Sequence, residues 1–115
     1  MTTIFERTAT ALAGLGVAVS NQINIPASGT DLPDRFIVHH LVTAPPEQHA
    51  DDEMTLRVYR VQVSYYDRAG LQSAPDVDGA MAAAGFLIAA RYQLAYSRET
   101  KHFGLAADYI YLEDN

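Results

Sequence analysis

The sequence predicts an α+β domain: a mainly antiparallel sheet of four to five strands with two helices on one face, ordered α-β-β-β-α-β-β. Three observations carry this. Runs of alternating side chains, rich in β-branched and aromatic residues, mark the strands. Two short segments repeat apolar residues at helical spacing between start and stop signals. Consecutive strands joined by hairpins imply antiparallel pairing, and two helices suffice to cover only one face of such a sheet.

The elements follow in order. In "TTIFERTATALAGLG", Thr3 and Glu6 match a capping box. Ile4, Phe5, Thr8, Ala11, Leu12 and Leu15 recur at helical spacing, and Gly14 and Gly16 supply a stop. A helix is expected over 3–13. "VAVS", 17–20, is a short strand, and "NQINIPASGTDLPD" reads as a loop from its Pro, Gly, Asn and Asp content.

"RFIVHHLVT", 35–43, is a strand with Phe36, Val38, His40 and Val42 on one face and Arg35, Ile37, His39 and Leu41 on the other. "APPEQHADDE" breaks it. "TLRVYRVQVSYYD", 55–67, alternates Tyr59, Val61, Val63 and Tyr65 with Arg60, Gln62 and Ser64. These two strands make a hairpin with a long polar tip.

After the connection "RAGLQSAP", the stretch "DVDGAMAAAG" reads as a second helix. Pro75 suits its first turn, Asp76 and Asp78 its positive end, and Gly85 its stop. Val77, Ala80, Met81 and Ala84 form a narrow face of small residues, so this helix must lie close to what it covers. Gly85 and the aromatics make "FLIAARYQLAYS" a strand. "RETK" is a turn, and "HFGLAADYIYLED" is the final strand, with Leu105, Ala107, Tyr109 and Tyr111 alternating with Ala106, Asp108, Ile110 and Leu112.

Composition narrows the function classes. The 115 residues suit one domain, 1–115. The absence of cysteine excludes disulfides, thiolate metal sites and a cysteine nucleophile. A net charge of −6 with eight dispersed basic residues is poor for gripping nucleic acid, whose phosphates are held by Lys and Arg. No apolar run reaches the ~18 residues of a membrane span, and the N-terminus lacks the pattern of a signal peptide. A soluble protein acting inside a cell is expected, with no membrane partner.

The stretch "VHHLVTAPPEQHADD" is the first that looks like chemistry, with His39, His40 and His49 beside Glu47, Asp51 and Asp52. Adjacent strand residues point to opposite faces, so His39 and His40 cannot share an ion without a bulge. No metal-ligand spacing or EF-hand pattern supports the stretch, so no metal site is expected. The chain holds no nucleophile elbow and no phosphate loop, so no enzyme activity, catalytic residue or cofactor is expected. All seven tyrosines fall in expected strands. Tyrosine is enriched at protein interfaces, and one sheet face is left without helices. Tyr59, Tyr65, Tyr109 and Tyr111 are therefore candidate subunit contacts.

The segments "LPDRFIVHH", "RVQVSYYDR" and "GF…ETKHFGLAADYIYL", with the N-terminal helix, the Pro-containing loop and the short helix ending "AAAGF", resemble the minor tail, tail-terminator and tail-completion proteins of long-tailed bacteriophages and prophages. The resemblance spans nearly the whole chain and is one of pattern and order. It implies a structural virion protein without cofactor: a homo-oligomer, a hexameric ring at the head-proximal end of the tail tube. Such a ring stops tube polymerisation and meets the head-closure or neck protein. It would be assembled in the host cytoplasm and end in the tail or neck of the virion, with DNA passing through it without specific binding. Head-closure and tube proteins of related build share these features.

On this footing, Pro45, Pro46, Glu47, His49, Asp51 and Asp52 are candidates for a hairpin arm that contacts a neighbour or borders the channel. Its acids would repel passing phosphates. The alternative from another class is a small α+β dimer binding a small ligand between sheet and helices. Arg60 or Arg91 beside a tyrosine would then be its polar anchor.

Overall fold

A computed structural model describes residues 3–21, 33–43, 46–47, 56–98 and 100–114. Helix α1 spans Ile4–Leu12 and opens with the expected capping box. The Thr3 amide donates to Glu6 Oε1 at 2.8 Å, and the Glu6 amide donates to Thr3 Oγ1 at 3.1 Å. Both amides lack a helical carbonyl to reach, so the box satisfies donors that would otherwise need water. A 3₁₀ turn over Ala13–Leu15 follows and stops at Gly16, whose φ of 74° favours a residue without Cβ.

Strand β1 is Ala18–Asn21, β2 Arg35–Thr43, β3 Pro46–Glu47, β4 Leu56–Asp67, β5 Leu87–Ser97 and β6 His102–Asp114. They form a six-stranded sheet in the order β1-β2-β4-β6-β5, with β3 pairing β4 off this path. The fold is α+β and mostly antiparallel; among the described strands only β1 and β2 run parallel. The strand beyond the expected four to five is β3, two residues long, with Pro46 opposite Arg57 and Glu47 opposite Leu56.

Helix α2 spans Val77–Ala83, and Asp76 is its N-cap, accepting from the Gly79 amide at 3.0 Å. Pro75 therefore stands one residue before the cap, not in the first turn. The carboxylate that caps the helix sets the start one residue later. The far end closes with two bonds, from the Gly85 amide to the Ala82 carbonyl and from the Phe86 amide to the Met81 carbonyl, both at 3.0 Å. Gly85 at φ 95° is the left-handed residue this closure requires.

Both helices press on one face. Ile4 and Leu12 of α1, Met81 of α2 and Phe86 join Ile37, Val61, Val63, Tyr65, Ala107 and Tyr109 of the sheet in one buried cluster. Register puts the strand residues side by side, with Ile37 opposite Tyr65 and Val61 opposite Tyr109. Each large apolar side chain removed from water contributes about 1.5–3 kcal/mol, so this layer dominates stability.

The other face is not bare at its Phe36 end. Phe36 stacks on Tyr66 with centroids 4.9 Å apart, and His102 meets Phe36 edge-on at 5.0 Å. His102 Nε2 donates to the Pro33 carbonyl at 2.8 Å, so the ring is locked in place. Phe36, Val38 and Ala106 are buried there. No helix among the described residues is long and apolar enough to cross a membrane.

Candidate subunit interface

Strand β5 ends the sheet. It pairs with β6 alone, so among the described residues its outer edge has no partner. It is eleven residues long, with no proline or lysine and a single charge, Arg91. Natural sheets guard such edges with charge, proline, bulges or short strands. Here two register shifts, between Ile88 and Ala90 and between Leu94 and Ser97, are the only such device, and they leave Ala90–Leu94 in unbroken register. Leu87 (58 % exposed), Ile88 (51 %), Tyr92 (39 %) and Tyr96 (46 %) stand open along the strand. Tyr96 also leans on the exposed ring of Phe103, with centroids 4.7 Å apart.

These exposed rings are not the tyrosines expected from the sequence. Tyr65 is 2 % exposed and Tyr109 not at all, both beneath the helices, while Tyr59 and Tyr111 are half-buried against the same cluster. The correction has a simple cause. Strand alternation says which residues share a face; the helices chose the odd-numbered one, so the tyrosines on it became core. Tyr92 and Tyr96 are the open ones. No local signal marks them, because their exposure comes from β5 lying at the sheet's edge, which only strand pairing sets.

Polar groups brace both faces. On the face away from the helices, Arg60 Nε and Nη2 donate to Asp108 Oδ2 at 3.0 and 2.8 Å. The Tyr92 hydroxyl donates to Asp108 Oδ1 at 3.3 Å, and Gln62 Nε2 donates to that hydroxyl. Tyr92 thereby ties the edge strand to the central one.

On the helix face, the Tyr109 hydroxyl donates to Asp78 Oδ1 at 2.5 Å, and Arg91 pairs with the same carboxylate. Burial pushes the Tyr109 hydroxyl up to about 12, with Arg91 opposing and Asp76 adding to the rise. Nearby, Tyr65 receives Arg35 Nε at 3.0 Å and donates to Asp67 at 2.6 Å. A cavity of about 370 Å³ opens between α2 and the sheet, lined by Val63, Tyr65, Val77, Arg91, Leu105 and Tyr109 among others.

The opening stretch divides as its alternation predicts. His39 lies opposite Val63 on the core face and is buried, and His40 lies opposite Gln62 on the other and is half-buried. Of the arm, Pro46 and Glu47 form β3; Pro45, His49, Asp51 and Asp52 lie outside the described residues. Among the described residues no three His, Asp or Glu side chains are placed to hold a metal ion together. No family model and no curated protein sequence matches the chain.

Proposed function

We propose that this chain is the ring-forming subunit that terminates or completes the tail of a long-tailed bacteriophage. The observation that carries the reading is the β5 edge: long, nearly uncharged, apolar and without a partner among the described residues. A surface of this kind calls for a neighbouring protein. The order of elements that the resemblance implies fits the same reading. The ring caps the tail tube, meets the head-closure or neck protein, and lets DNA through. A net charge of −6 suits that passage, because like charges repel and nothing holds the phosphates. The reading asks for no cofactor and no chemistry, and it places the chain in the virion tail after assembly in the host cytoplasm.

The test is native mass and negative-stain imaging of the purified protein, alone at high concentration and with tail tubes. Rings, or caps on tube ends, are the expected result. A stable dimer that ignores tubes would overturn it.

One observation favours the other class. Arg91 and Tyr109 line the cavity under α2, and its volume of about 370 Å³ falls within the range of small-molecule sites. A dimeric ligand-binding protein would use Arg91 there as its polar anchor. That reading requires a dimer in solution whose melting temperature rises with a small apolar ligand and no longer does so in Arg91→Ala.

A further inference from the structure

We propose that the cavity between α2 and the sheet is a binding site for a small apolar molecule bearing an ammonium group, its body on the sheet and its nitrogen on Asp76 and Asp78. The proposal goes beyond the ring reading and concerns the cavity alone, whatever number of copies assemble. The floor sets the body of the ligand. Val63 of β4 with Leu105 and Ala107 of β6 line the cavity on the sheet side, and Val77 lines it on the helix side. About 370 Å³ stands open over these side chains. A space of that size, walled by apolar groups with a few polar ones converging on it, favours a small ligand whose apolar surface leaves water.

The polar groups set its charge, because the cavity's donors are already engaged. The Tyr109 hydroxyl donates to Asp78 Oδ1 at 2.5 Å and the Tyr65 hydroxyl to Asp67 at 2.6 Å. At the start of α2 the amides of Val77, Gly79 and Ala80 donate to the Pro75 carbonyl, to Asp76 Oδ1 and to the Asp76 carbonyl. Arg91 is paired with Asp78, so it is not a free cation awaiting an anionic ligand. Acceptors are left over. Among the described residues, Asp76 Oδ2 and the lone pairs of the Tyr109 oxygen receive no hydrogen bond. Asp76 stands near enough to Tyr109 for its charge to act on that hydroxyl, so both carboxylates look towards the same oxygen.

Two carboxylates against one guanidinium leave the lining with a negative excess. An ammonium supplies what is missing, three donors and a positive charge on a compact head. Arg91 is then the ligand's competitor. Its side chain is 56 % exposed against 22 % for Asp78, so the guanidinium can swing into water and cede the carboxylate. The sign of its effect follows: removing Arg91 strengthens the binding of a cation, whereas it would abolish the binding of any ligand that Arg91 itself anchors.

The test uses three probes of similar shape on the full chain: 2-phenylethylammonium, 2-phenylethanol and phenylacetate. Titration calorimetry reads affinity, and methyl NMR reads place. The ammonium should bind and shift the methyls of Val63, Val77 and Leu105; the alcohol should bind about tenfold more weakly or worse, and phenylacetate not at all. Asp76→Asn keeps the cap of α2, since Asn caps as well as Asp, and should weaken the ammonium about tenfold while leaving the alcohol unchanged. Arg91→Gln should tighten the ammonium. Loss of ammonium binding in Arg91→Gln, or a preference for phenylacetate, would place the anchor on Arg91 and overturn the proposal. Equal binding of all three probes would leave an apolar hole without a charged anchor and overturn it too. So would the absence of methyl shifts with any probe at millimolar concentration, an outcome that leaves the ring reading, decided by native mass, untouched.

Discussion

Tyr65 donates its hydroxyl hydrogen to the Asp67 carboxylate at 2.6 Å, two residues further along the same strand. Residues i and i+2 share a face, so the contact needs no turn. Its consequence is electrostatic. Burial pushes the Asp67 carboxyl up, but the Tyr65 hydroxyl, the Ala69 amide, the Arg35 guanidinium and His102 outweigh it and hold the group below its ordinary value.

The sign of the pH effect follows. A carboxyl held below its unfolded value of 3.8 adds stability that is complete above that value and lost as pH falls through the folded one. Tyr65→Phe removes one donor and orphans part of the carboxylate. It should cost about 1–3 kcal/mol near neutral pH and move the onset of acid unfolding upward. Urea melts at neutral pH and a far-UV acid titration check both. An unchanged acid limb would show that the hydroxyl does not hold Asp67.

The pair formed by Arg60 and Asp108 behaves differently, because Asp108 is 8 % exposed and serves Tyr92 as well. Asp108→Ala should cost about 2–4 kcal/mol, much of it from polar groups left without a partner. In a double-mutant cycle with Arg60→Ala, a coupling of about 1–2 kcal/mol is expected. Coupling near zero would mean that the two charges are independently solvated.

Gly104 is needed for room, not for backbone freedom. A Cβ there would lie 2.9 Å from Leu94 Cδ1, 3.0 Å from Leu94 Cβ and 3.1 Å from Tyr66 Cε1. Gly104→Ala should destabilise by about 1–3 kcal/mol. Adding Leu94→Ala should recover part of that loss, which thermal melts of the single and double variants would reveal. No recovery would place the strain elsewhere.

His39 sets a second pH limb. Burial, with the charge of His40 beside it, keeps its imidazole below the ordinary 6.5. A base depressed in this way is neutral in the fold and takes a proton on unfolding. Stability is therefore full above that value and falls as pH drops below it. The melting temperature should be level above about pH 7 and decline as pH drops below the ordinary imidazole value of 6.5. In His39→Leu the decline should be reduced. A wild-type melting curve that is flat across this range would refute the assignment.

Much of the fold was legible because its signals are local. "RFIVHHLVT" and "HFGLAADYIYLED" coincide with β2 and β6 because β-branched and aromatic residues fill them and turn residues bound them. Thr3 with Glu6, and Gly85 after α2, act within a few residues of themselves. What was not legible depends on pairing. Arg35 meets the Asp67 cluster only because β2–β4 register sets residue 35 opposite residue 67. Periodicity could sort the tyrosines into faces, yet it could not say which face the helices would cover. The open rings of Tyr92 and Tyr96 follow from β5 being the last strand in the spatial order, a fact of topology alone.

That spatial order also constrains how the molecule can be made. β6 lies between β4 and β5, so an inner strand is synthesised after the edge strand it must pair with. A nascent chain that has reached Ser97 can close the β2–β4 hairpin, but its β5 has no neighbour and one side of β4 stays unpaired from Leu56 to Asp67. The twelve β4–β6 pairs arrive together once residues 102–114 have emerged. Until then two long strands stand with open edges, the condition in which chains on neighbouring ribosomes pair with each other. Slow translation between residues 97 and 114 would lengthen that interval, so misassembly should depend on how fast this stretch is read, even with the amino-acid sequence unchanged.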